Sequence, residues 1–117
     1  MLWVAALAAG CGTGQTGIAK GGDVGQGKKL FVAKCGTCHR LAGAGTTGTI
    51  GPDLDKLKSY AATAKMPLSD FIRESIVKPN AYVEKGYPPG VMPQNFGKLP
   101  KSTLDALVAF LAASAKS

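Results

Sequence analysis

Apolar residues recur every three or four positions in three stretches of the chain, the spacing of one helix face. In the first, Val24, Gly27 and Phe31 share a face, and Asp23 with Gln26 has the form of a capping box, so a helix is expected over 24–34. In the second, Pro67-Leu68-Ser69-Asp70 opens a helix with Phe71, Ile72, Ser75 and Ile76 on one side, which Pro79 stops. In the third, Leu104, Leu107, Val108 and Leu111 mark a final amphipathic helix, with Ser102 and Asp105 as a second capping box. A short helix is expected around Leu54 and Leu57. The Gly- and Thr-rich stretch 43–52 reads as a loop, as does 79–101 with its five prolines. No strand pattern persists and no repeat is visible. The folded part is therefore a small all-α domain over residues 23–117.

Residues 1–11 are apolar, too short to span a bilayer, and end in Ala-Ala-Gly-Cys. They resemble the end of a secretory signal, with Cys11 placed as the lipid-carrying residue of a bacterial lipoprotein box. Ala8 stands where such boxes usually have Leu, and no Lys or Arg precedes the run. A buried N-terminal helix with an incidental cysteine is the competing reading. Residues 12–22 hold five glycines and read as a flexible tether. Eleven such residues have an end-to-end distance of roughly 18 Å, which would keep an anchored domain close to a membrane surface.

At 117 residues the chain fits one domain with a modest core. It has only four Phe, three Tyr and one Trp, so something other than large aromatics is expected to fill its middle. Fourteen Lys and Arg against seven Asp and Glu give a formal net charge of +7. That excess favours acidic partners. The lysines are scattered, and no basic helix or aromatic-basic interleaving suggests nucleic-acid binding.

Three cysteines cannot form a closed disulfide set. Two of them belong to Cys35-Gly36-Thr37-Cys38-His39, the C-x-x-C-H signal for covalent attachment of c-type haem. Two thiols near a helix end can reach the two vinyl groups on one porphyrin edge, and the next residue places an imidazole under the iron. Rival readings are a thioredoxin-like redox pair, which calls for a βαβ context that is absent, and a zinc set of Cys11, Cys35, Cys38 and His39. His39 is the only histidine, so a second imidazole from this chain cannot bind the iron. The remaining candidates for a sixth ligand include Met66 and Met92, each followed by proline. Met92 lies in the irregular loop, long enough to cross the open face of a haem. Met66 directly precedes a helix and is expected to pack in the core or sit at the surface.

From Asp23 to about Ala115 the sequence resembles class I cytochrome c, and within it the cytochrome domains fused to subunit II of some bacterial haem-copper oxidases. The resemblance is carried by Gly27 and Phe31, the haem-attachment signal, Gly51-Pro52-Asp53-Leu54, Ser75-Ile76-Val77-Lys78-Pro79, Gly86-Tyr87-Pro88-Pro89, Val91-Met92-Pro93, and Leu104, Leu107 and Phe110. It implies three to five helices wrapped around one haem c, with the first and last helices crossing at Gly27. It also implies that the Pro52 carbonyl accepts a hydrogen bond from His39. Tyr87 and Arg40 are candidate propionate partners. No copper-binding domain or transmembrane hairpin precedes the module in these residues, so the chain is expected to be the cytochrome module alone.

The function expected is one-electron transfer outside the cytoplasm, with no catalytic residues. The expected setting is a respiratory chain between an upstream quinol-oxidising complex and a terminal oxidase, with the membrane surface reached through a lipid on Cys11. The alternative is a haem peroxidase or small-ligand sensor with an open iron, which would need Met92 absent or displaced. No second histidine and no evident acid-base pair favours it.

Overall fold

The computed structural model describes residues 18–19 and 22–117. The signal-like run with Cys11 and most of the Gly-rich stretch lie outside these residues. Two residues of that stretch, β1 (Ile18–Ala19), pair antiparallel with β2 (Gly22–Asp23). Helix α1 (Val24–Lys34) starts where expected, because the Asp23 carboxylate accepts the Gln26 N–H at 3.1 Å. A second two-residue pair joins β3 (Arg40–Leu41), just before the region read as loop, to β4 (Thr46–Thr47) inside it. Strands of two residues are too short to carry an alternating pattern, which is why none was visible.

A 3₁₀ turn over Leu54–Lys56 leads into α2 (Leu57–Thr63), and α3 (Leu68–Val77) follows. Lys65 adopts the left-handed region, and the Met66 N–H returns to the Ala61 carbonyl, closing the end of α2. A further 3₁₀ turn, Asn95–Lys98, interrupts the long loop before α4 (Lys101–Ser114). Among the described residues no helix is long and apolar enough to cross a membrane.

The first and last helices pack against each other, as the resemblance implied. Gly27 is buried in α1, and a Cβ there would collide with the Ala106 carbonyl and lie 2.7 Å from the Phe110 Cβ. The Phe31 and Phe110 rings meet beside this crossing with centroids 5.9 Å apart. Phe31, Leu41, Ile72 and Leu107 form the most enclosed part of the core.

One expectation about α4 is corrected. Ser102 and Asp105 do not form a capping box. The helix begins two residues earlier than that box would place it, after Pro100, whose carbonyl accepts the Thr103 and Leu104 N–H groups. Ser102 therefore falls inside the helix. Asp105 turns toward α3 and binds Arg73, while Lys101 reaches its other oxygen at 2.8 Å. Hydrogen bonds from these two cations hold the Asp105 carboxyl below the usual carboxylate range. From Leu104 to Leu111 every residue of α4 is buried, so the helix is wrapped by the fold rather than amphipathic along this stretch.

Candidate functional site

The C-x-x-C-H segment begins where α1 ends. The N–H groups of Cys35 and Gly36 both return to the Phe31 carbonyl, and those of Cys38 and His39 return to the Cys35 carbonyl at 3.2 and 3.0 Å. The segment is thus wound into a tight turn. The following loop is fastened over it. Gly51 donates to the Cys38 carbonyl at 2.8 Å, and Thr46 Oγ1 donates to the His39 carbonyl at 2.8 Å while accepting from the Leu41 N–H. A side chain on Gly48 would meet the backbone of Thr37, Cys38 and His39 at 2.5–2.8 Å. The Gly- and Thr-rich composition read only as a loop therefore lets this segment lie directly on the motif.

His39 Nδ1 lies 2.8 Å from the Pro52 carbonyl oxygen. A carbonyl only accepts, so Nδ1 carries the proton and Nε2 keeps its lone pair. Burial holds the imidazole below its ordinary pKa, and the Pro52 bond opposes this only in part. The ring is therefore neutral at pH 7, oriented, and ready to ligate a metal through Nε2.

Gly51 packs against the same ring. A Cβ built on it would lie 2.5 Å from His39 Cε1 and 2.9 Å from Nδ1. Gly51→Ala is expected to tilt the imidazole away from Pro52 and cost about 1–3 kcal/mol. Urea denaturation and the visible spectrum of the holoprotein check this. An unchanged midpoint together with an unshifted spectrum would show that the ring does not depend on this glycine.

Burial, and secondarily the neighbouring Cys38, pushes the Cys35 thiol up to about 11. Cys35 also caps the C-terminal end of α1, where the helix dipole disfavours a thiolate. Redox pairs of the thioredoxin kind need the opposite, a thiol lowered at a helix N-terminus. No disulfide joins the two motif cysteines. Among the described residues no group of three or more His, Cys, Asp or Glu is placed to hold a metal ion. Cys11, which the zinc reading requires, lies outside them.

These groups line one cleft. It encloses about 1070 Å³ of empty space, part of it open to solvent, and Cys35, Cys38, His39 and Met92 all contribute to its walls. A smaller apolar space of about 470 Å³, also partly open to solvent, reaches inward to Phe31, Ile72 and Leu107 and shares Cys35, His39 and Met92. Protein interiors are close-packed, so an apolar-walled cleft continued inward in this way leaves room for a bound group. The cysteine pair, the free Nε2, the thioether of Met92 and the apolar walls together fit a covalently attached haem.

Pro52 and Tyr87 also line the cleft. Met66 does not; it is partly buried and packs on the hydrophobic core. Arg40 is away from the lining, with its Nε 3.6 Å from Asp53 and 3.9 Å from Asp55. Several lining residues had no sequence signal. Tyr60 is one, its hydroxyl pKa raised by burial and then by Glu84. Tyr82 is another, packed edge-on against Phe71 with centroids 5.4 Å apart. Neither belongs to a local motif; they meet only because the 79–92 loop folds across α2 and α3.

A family model described as Cytochrome c matches residues 24–115. No curated protein matches the chain closely enough to serve as a relative.

Proposed function

Because the chain belongs to the cytochrome c family, whose members carry electrons on a covalent haem c, we propose that it is a mono-haem carrier of single electrons between extracytoplasmic redox partners. Cys35 and Cys38 would attach the haem through thioether bonds, and His39 Nε2 and the Met92 sulfur would hold its iron. What carries this reading is that the three motif residues and Met92, far from them in the sequence, line one apolar cleft.

When bound, haem supplies the one-electron iron couple. The chain's own residues set its conditions. Pro52 holds the imidazole in one tautomer and raises its basicity. Met92 would occupy the iron site that oxygen or peroxide needs, and a thioether there would favour the ferrous form. Leu54, Leu57 and Phe96 give the cleft apolar walls. Tyr87, on the lining, is the better placed propionate partner; Arg40 already faces two carboxylates.

The partners proposed are an upstream quinol-oxidising complex and a terminal oxidase. The reading draws on the resemblance to cytochrome domains fused to oxidase subunit II and on the net charge of +7, which would steer an acidic partner in a salt-dependent way. The domain is held at the membrane surface by a lipid on Cys11 and the Gly-rich segment after it.

The test is haem staining of the denatured chain made in cells with a working haem-ligation system. Colour should stay with the wild-type chain and vanish from the Cys35→Ala, Cys38→Ala double variant. A colourless wild-type chain would end the reading. Cys11→Ala should move the protein from the membrane to the soluble fraction with its spectrum unaltered; an unchanged membrane fraction rejects the anchor.

A further inference from the structure

The segment that brings Met92 to the cleft is the least regular part of the domain, yet it is tied at a definite point. The Asn80 Oδ1 accepts a hydrogen bond from the Gly90 N–H at 2.8 Å. An amide N–H can only donate, so this contact also settles which way the Asn80 carboxamide faces. The two residues stand ten positions apart, and their bond closes the intervening chain into a loop whose ends meet.

Asn80 is itself well placed to serve as an anchor. It follows Pro79, which is buried, and the Ala81 N–H returns to the Lys78 carbonyl at 2.9 Å, closing a turn around it. The turns between the two ends are paid for by glycine, with Gly86 at φ +96° and Gly90 at φ +82°. Tyr82 packs on Phe71, and the Tyr87 N–H returns to the Glu84 carbonyl. Only Val91 separates Gly90 from Met92. Two residues of chain span at most about 7 Å, so pinning Gly90 confines Met92 to a small volume. Pro93 restricts it further from the other side by disfavouring the helical conformation at Met92.

We propose that Asn80 is a positioning residue for Met92: its side-chain oxygen holds Gly90 so that the loop delivers the thioether to the cleft. This rests on Met92 being the second axial ligand, as proposed above.

The experiment compares wild type, Asn80→Ala, Asn80→Asp and Met92→Ala as purified holoproteins. Each ferric protein is titrated with imidazole, and Gly90 amide exchange is followed by NMR. Asn80→Ala should bind imidazole about fourfold tighter than wild type and exchange the Gly90 amide about fourfold faster, the effect of losing one solvent-exposed hydrogen bond. Asn80→Asp keeps the acceptor and should stay within about twofold of wild type on both readouts. If Met92→Ala opens the iron while Asn80→Ala binds imidazole like wild type, the positioning role is overturned and the axial assignment stands. An Asp variant that behaves like the Ala variant also overturns it. If Met92→Ala leaves imidazole binding unchanged, the axial assignment fails and takes this inference with it.

Discussion

Replacing Met92 with alanine is expected to open the iron to added ligands and to lower the midpoint potential. Met92 lines both parts of the cleft together with His39, and no other described residue supplies a thioether there. An external ligand can bind only in the fraction of molecules whose thioether has left the iron. If Met92 is bound roughly nine-tenths of the time or more, its removal should tighten imidazole binding by about tenfold or more. The potential falls because the thioether favours the ferrous form, and each tenfold of that preference is about 59 mV for a one-electron couple. Met66→Ala supplies the contrast. Met66 packs on the hydrophobic core, so its loss should cost up to about 2 kcal/mol of stability and leave ligand binding alone. Imidazole titration and redox potentiometry of both variants check the pair. If Met66→Ala were the one to open the iron, the axial assignment would be reversed.

The second large effect falls on the helix crossing. Gly27→Ala should destabilise the domain, and Gly27→Val should prevent its folding. An alanine in place of a mid-helix glycine ordinarily gains up to about 1 kcal/mol. At Gly27 that gain is outweighed, because the new Cβ would press on the backbone of Ala106 and on Phe110. Backbone atoms of a buried helix cannot swing aside as a side chain can. Overpacking of this kind costs about 1–3 kcal/mol for small insertions and more for branched ones, against a total stability of about 5–15 kcal/mol. Gly25, on the exposed side of the same helix, is the control. Its nearest neighbour would be the Asp23 carboxylate at 3.5 Å, an ordinary contact. Gly25→Ala should therefore stabilise the protein. Opposite signs for the two alanine variants in denaturant unfolding would tie the effect to the crossing; equal signs would refute it.

The same division between near and far runs through the whole chain. The span 24–34, the stop before Pro79 and the place of the Cys35–His39 motif near a helix end were legible in the sequence. Each depends on residues within three or four positions of one another, where spacing and capping act directly. The pairing of His39 with Pro52 was anticipated from the family resemblance rather than from any local rule, and the structure places the two atoms in hydrogen-bond contact.

Tertiary structure alone decided the rest. Asp105 had the spacing of a cap and became a bridge to Arg73, because α3 brings a guanidinium to it. Arg40, read as a propionate partner, stands among Asp53 and Asp55, since the Pro52 turn carries both carboxylates to its side. Gly51 lies on the His39 ring and Asn80 on Gly90 without any repeating pattern to announce them. Contacts between segments ten or more residues apart depend on where helices cross and loops return. That geometry is set by the packing of the whole core, so no short window of sequence contains it.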